Sequence, residues 1–128
     1  PEFGLYTDPH QKMGSLSDEM LRAVRLVIDT GIHTGQMSRE EAIKYFLSNV
    51  AYDEASATAE VERYMAMPGQ ALSYKIGQMK IRELREKYQK QLGKKFKIAD
   101  FHDGVLSQGC LPLQVLERKM DLWAKSVK

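Results

Sequence analysis

The sequence predicts an all-α fold, an antiparallel bundle of about five to six helices that forms a fragment of a larger helical protein. Three observations carry this. Helix-capping signals recur along the chain, with Ser38 three residues before Glu41 and Asp53 just before a periodic run. No segment alternates apolar and polar residues as a half-buried strand would, and Asp103-Gly104 sits inside a helical pattern instead of between two strands. The connections between periodic runs are short, which favours antiparallel neighbours.

Taken in order, residues 4–14 contain Gly4, Pro9 and Gly14 and read as an extended or turning lead-in. Ser15 and Ser17 offer N-caps, with Asp18 and Glu19 in a first turn, so a helix is expected to about Thr30 with Gly31 ending it. Ser38-Arg39-Glu40-Glu41 is a capping box that opens a second helix to about Asn49. Asp53 caps a third, from Glu54 to about Ala66, and Pro68-Gly69 breaks the chain. The longest helical pattern runs from about Gln70 to Leu92, where Gly93 stops it. A short helix is expected around residues 98–107. Pro112 suits a first helical turn, and the last helix runs to about Lys125.

The 128 residues are 43% hydrophobic and 28% charged, a globular composition of one domain's size. Net charge is +2, too small to name a partner. Cys110 is the single cysteine, so an intrachain disulfide and a cysteine-rich zinc site are excluded. No apolar run approaches the roughly 20 residues of a membrane span. Pro1-Glu2-Phe3 reads as translated cloning-site sequence with no initiator Met, so residues 1–3 are set apart and 15–128 are taken as a single helical domain.

Two segments have unusual polar patterns. With 100° per residue, Asp18, Arg22, Arg25 and Asp29 fall within about 40° of one line, while Met20, Leu21, Val24, Leu26, Val27 and Ile28 fill most of the remaining surface. Such a helix is expected to be mostly buried, with one narrow charged strip. Buried charges need partners or water. The strip is therefore either a salt-bridge network tying the helix to its neighbours or the lining of a wet cleft for a charged ligand. His33 lies just beyond, on an expected turn.

The long helix places Leu72, Ile76 and Met79 on one face and Gln70, Tyr74, Gly77 and Ile81 on another. Its first half is expected to go inside. The mostly charged second half, with Arg82–Glu86 and Glu83–Lys87 at i,i+4 spacing, is expected to project into water. Residues 75–97 hold nine Lys/Arg against two Glu, a local +7. No nucleic-acid motif accompanies this basic run, so it reads as a solvated face and no nucleic-acid partner is expected.

The stretches LSDEMLRAVRLVIDTGIH at 16–33, PGQALSYKIG at 68–77 and FHDGVL at 101–106, in this order and at these separations, resemble the C-terminal third of a bacterial family known as domain of unknown function 885. The resemblance runs from about Gly4 to Trp123. Members of that family resemble largely helical, two-lobed zinc metallopeptidases with a His-Glu-x-x-Pro-Gly-His motif and a downstream Glu in a Glu-Gly-Trp-Ala stretch. Neither motif occurs here, and His10, His33 and His102 have no zinc-motif spacing. The resemblance thus implies a C-terminal lobe with no metal ligands and no cofactor of its own, inactive alone, in a parent that carries zinc on its N-terminal lobe. That lobe is then the expected partner.

By the same resemblance, Tyr74 takes the role of the later-helix Tyr or His that holds a carbonyl oxygen as it gains charge, and His33 is the other candidate catalytic residue. Arg22 and Arg25 are candidates to clamp a substrate carboxylate. Asp29 would orient His33 or Arg25, and Gln70 and Lys75 complete the candidate substrate-binding set. The resemblance also implies export of the parent to the periplasm or cell envelope. The alternative function is a protein-interaction module independent of catalysis, and apolar faces left bare would favour a homo-oligomer.

Overall fold

A computed structural model describes Gly4 and residues 6–127. Residues 1–3, read above as cloning-derived, lie outside the described residues. Six α-helices and two one-turn 3-10 helices make up the fold, and no strand occurs among the described residues. The all-α expectation holds. The chain divides into two compact units, residues 1–75 and 76–128, where the sequence suggested one domain over 15–128.

In the first unit, α1 spans Pro9–His33, α2 Arg39–Asn49 and α3 Glu54–Ala66. A 3-10 turn at Gln70–Leu72 leads into α4, Ser73–Leu92, which continues into the second unit. The capping residues of α2 and α3 are those expected. Ser38 and Glu41 form the reciprocal capping box, and Asp53 accepts from the Ser56 amide at 2.9 Å. Backbone and side-chain bonds at the two caps hold the Glu41 and Asp53 carboxyls below the usual carboxylate range.

The start of α1 differs from expectation. Residues 9–14 are helical and not an extended lead-in. Asp8 is the N-cap, accepting from the His10 amide at 2.8 Å, and Pro9 occupies the first turn. Proline's fixed φ and missing N–H suit that position. This Asp-Pro start outweighs Gly14, which costs only about 1 kcal/mol in a helix interior. Ser15 and Ser17 therefore lie within the helix.

The end of α1 also moves. Gly31 is helical, and the terminating residue is Gly35, at φ 72°. A left-handed φ just past a helix is where glycine is favoured. The Gly31 carbonyl accepts from the Gln36 and Met37 amides at 2.9 and 3.0 Å, folding the chain back across it. A Cβ on Gly31 would sit 3.0 Å from the Met37 Cβ, an atom that cannot swing away. Gly31→Ala is therefore expected to lower stability by about 1–3 kcal/mol, measured by thermal unfolding.

The core of this unit combines Val24 and Ile28 of α1, Ala42 and Phe46 of α2, Ala57, Val61 and Tyr64 of α3, and Ala71. It selects only part of the apolar surface of α1. Met13, Leu16, Met20 and Val27 are exposed, while Arg25 and Asp29 are buried. The expected burial is thus turned around. The apolar arc of α1 is wider than α2, α3 and the 3-10 turn can cover, and part of the polar strip goes inside instead.

In the second unit, α4 ends at Leu92, a 3-10 turn at Gly93–Lys95 follows, α5 spans Ile98–Leu106 and α6 Leu113–Ser126. The long helix reverses the expected polarity. Ile76 and Met79 are exposed, whereas Leu84 and Tyr88 in the charged half are fully buried. Leu84, Tyr88 and Leu92 recur at i,i+4 spacing and meet Phe101, Val105, Leu116, Met120 and Ala124. Gly104 lies on α5 where a Cβ would meet the Met120 side chain at 3.1 Å.

The basic run is partly neutralised within this unit. Lys80 lies 3.3 Å from Glu117 and 3.0 Å from Glu83, and Lys87 lies 2.8 Å from Asp121, pairings other than the i,i+4 pairs expected. The Tyr88 hydroxyl donates to Asp121 at 3.0 Å, and burial foremost pushes its pKa up to about 12. Among the described residues no helix is long and apolar enough to cross a membrane.

Candidate functional site

The first unit gathers most of the polar residues singled out in the sequence. One face of α1 presents Asp18, Arg22, Arg25 and Asp29, a turn apart as the 3.6-residue repeat requires. Pro68 and Gly69 return the chain to that face. Gly69 has φ 78°, a left-handed conformation that aims its N–H at Asp29. Both Asp29 carboxylate oxygens receive this donor, at 3.0 and 3.1 Å. Asp29 is only 2% exposed. Its first role is to anchor the turn that carries Gln70 and Tyr74.

Arg25 lies beside that anchor and is 8% exposed. Its Nη2 donates to Gln70 Oε1 at 3.2 Å. Its guanidinium carbon lies 5.4 Å from the Tyr64 ring centroid and 5.5 Å from that of Tyr74. Arg22 approaches the same Tyr74 ring at 5.7 Å, while donating to the Asp18 carbonyl at 2.8 Å. Tyr74 is 59% exposed. One tyrosine ring thus covers two arginines, an arrangement favoured by the ring's negative face.

His33 and Lys75 turn elsewhere. His33 Nε2 lies 3.0 Å from the Tyr64 carbonyl and 3.8 Å from Asp29, the latter beyond hydrogen-bond distance. It ties α1 to α3. Lys75 pairs with Glu19 at 3.0 Å. The structure therefore brings Arg22, Arg25, Asp29, Gln70 and Tyr74 together, with His33 behind Asp29 and Lys75 to one side.

Sequence reasoning missed the third wall, Glu60, Arg63 and Tyr64 on α3. Arg63 forms two hydrogen bonds to Glu60, at 3.1 and 2.8 Å, and a third to Gln70 Oε1 at 2.9 Å. The Tyr64 hydroxyl donates to Glu60 at 2.6 Å. The i,i+3,i+4 spacing of an acid, a base and a tyrosine was the available signal.

The charges follow from these contacts. Arg63 foremost, opposed by burial and aided by the Tyr64 hydroxyl, holds the Glu60 carboxyl below the usual carboxylate range. Burial foremost, and then Glu60, raises the Tyr64 phenol. A carboxyl depressed in the folded state adds stability above its unfolded pKa, and that stability is lost as pH falls through the folded value. Stability is therefore expected to fall with acidification from the ordinary carboxylate range of about 4 downward. Glu60→Gln should flatten that fall in chemical denaturation measured across pH.

A concave surface of this unit lies elsewhere, between Arg39, Ile43, Leu47 and Thr58 of α2 and α3. The Arg25 cluster is a chemically dense wall of charged, amide and aromatic groups. Among the described residues, no three His, Cys, Asp or Glu side chains gather so as to hold a metal ion.

The comparisons agree with the fold. A crystal structure described as "the putative lipoprotein from Colwellia psychrerythraea" matches 97% of this chain at 48% identity, with a TM-score of 0.93. The match covers 21% of that chain, so the present sequence spans about a fifth of its length. No curated protein matches. A family model matches residues 1–120, and the chain belongs to that family, described as "Bacterial protein of unknown function (DUF885)".

Proposed function

We propose that this chain is one helical lobe of a larger zinc-peptidase-like hydrolase and supplies its substrate-holding wall. The observation that supports this most is the gathering of Arg25, Gln70 and the exposed Tyr74 around one point, braced by buried Asp29. In this reading the Tyr74 hydroxyl donates to a peptide carbonyl oxygen as negative charge builds on it. Arg22 and Arg25 bind a substrate carboxylate beside Gln70. Asp29 fixes the turn on which Gln70 and Tyr74 stand. His33 positions Tyr64 through its carbonyl without reaching substrate, and Lys75 steers charge at the edge.

The metal belongs to the remaining lobe of the longer protein, where zinc would activate water for attack. The Colwellia protein's description as a lipoprotein supports export of that longer protein. Metal analysis and peptide hydrolysis on the 128-residue chain and on the longer protein test the reading together. The chain alone should neither retain zinc nor turn over. The longer protein should do both and lose hydrolysis on chelation. A longer protein that hydrolyses no peptide with zinc restored would defeat the proposal.

A second reading, a protein-interaction module, draws on the exposed α1 face of Met13, Leu16, Met20 and Val27, with Met13 68% exposed. Bare apolar faces of this kind mark association surfaces. Self-association of the chain in solution, abolished by Met20→Lys, would favour it. A monomer at all concentrations would remove the homo-oligomer version.

A further inference from the structure

Arg25 differs from the other arginines of its cluster in one respect. Arg22 has Asp18 within 3.7 Å, and Arg63 has Glu60 at 2.8 Å. Arg25 is the most buried of the three, yet no carboxylate comes within ion-pair distance of it among the described residues. Its Nε is buried without a hydrogen-bond partner. Asp29 is engaged by the Gly69 amide, and Glu60, which Arg25 meets only at longer range, by Arg63 and the Tyr64 hydroxyl. A guanidinium withdrawn from water without a close ion pair or full hydrogen bonding is unfavourable.

What Arg25 does meet is a neutral oxygen. Gln70 Oε1 receives Arg25 Nη2 at 3.2 Å and Arg63 Nη1 at 2.9 Å. Two guanidinium groups converging on one oxygen is a geometry suited to an anion. Gln70 itself is exposed and stands on a single 3-10 turn, so its side chain can leave. We propose that Arg25 and Arg63 form a carboxylate receptor whose site is held, in the unliganded chain, by the Gln70 amide as a neutral and displaceable plug.

The surroundings choose among anions. The Tyr64 and Tyr74 rings flank Arg25, which suits a flat carboxylate. Asp29, bonded to the Gly69 amide next to Gln70, and Glu60, paired with Arg63, lie beside the site, so a doubly charged phosphate meets more repulsion than a single carboxylate. This deepens the substrate-carboxylate reading above, adding Arg63 as a second clamp and Gln70 as the group displaced. It is tested without catalysis, so a failure of hydrolysis and a failure of this site are distinguishable.

The experiment is an NMR titration of the 128-residue chain, at fixed pH and ionic strength, following the Arg25 and Arg63 Nε–Hε and the Gln70 side-chain amide. Three probes are used: acetyl-Ala-Ala with a free carboxylate, its C-terminal amide, and acetyl-Glu-amide. The free carboxylate should shift all three groups with millimolar affinity, and the amide should not. A response to acetyl-Glu-amide as strong as to the free carboxylate would identify an acidic side chain as the source, still through this receptor. Arg25→Gln should weaken binding at least about tenfold. Arg63→Gln, at a more exposed position, should weaken it severalfold with the fold retained by circular dichroism, and Gln70→Ala should tighten or preserve it. Equal shifts from acid and amide, or no saturation up to ~100 mM in both the unaltered chain and Gln70→Ala, would overturn the proposal.

Discussion

Asp29→Ala is expected to lower the stability of the first unit by about 3 kcal/mol. Both oxygens of this buried carboxylate accept from the Gly69 amide, and no water-exposed route replaces them. Truncation leaves the amide without its acceptor and removes the negative charge nearest Arg25 and His33 on α1. The turn at 68–70 then loses its tie to the helix, and Gln70 loses its register with Arg25. Asp29→Asn retains one acceptor oxygen and should cost about 1–2 kcal/mol, near the value of a neutral hydrogen bond. Chemical denaturation gives the energies. Loss of hydrogen-exchange protection at the Gly69 amide, confined to the first unit, would identify the cause.

Phe101→Ala should be larger, at about 3–5 kcal/mol. Phe101 is fully buried at the centre of the second unit, with Phe96 at 5.9 Å and Trp123 at 6.0 Å between ring centroids. Its neighbours come from α4, α5 and α6, so the cavity cannot close by moving one side chain. Trp123 is the single tryptophan of the chain, and its fluorescence reports this unit selectively. A denaturation midpoint by tryptophan fluorescence that falls by much less than this would mean that Met120, a flexible neighbour, refills the space.

Much of the architecture was legible because it rests on local chemistry. The Ser38–Glu41 box, the Asp53 cap, Gly93 and Pro112 each act within a few residues, and the helices they bound are present. The Asp8-Pro9 start was equally local and was hidden by Gly14, whose penalty is small beside a capped first turn. Burial was less legible. The charged half of α4 hides a three-residue apolar stripe, Leu84, Tyr88 and Leu92, whose partners are supplied by α5 and α6. Which side of α1 goes inward depends on how much surface α2 and α3 can cover, and no single helix encodes that.

The cluster was half legible for the same reason. Helical periodicity alone placed Arg25 and Asp29 together, and Gln70 and Tyr74 together. The meeting of the two lines follows from the left-handed Gly69 turn returning to Asp29. Glu60, Arg63 and Tyr64 sit on a helix whose pattern looks ordinary, and their part emerges only where α3 packs beside α1. His33 was drawn to the site by proximity in sequence, but its hydrogen-bond partner is the Tyr64 carbonyl.

The central claim is that this lobe contributes transition-state contacts to a zinc-dependent hydrolase. Its most direct test is Tyr74→Phe in the longer, metal-loaded protein, with kcat and KM measured separately on a short peptide. Removing the hydroxyl alone keeps the ring over Arg22 and Arg25. The account predicts a fall in kcat of about 10²-fold, with KM, zinc content and melting temperature unchanged. An undiminished kcat in a folded, zinc-loaded Tyr74→Phe protein would contradict it.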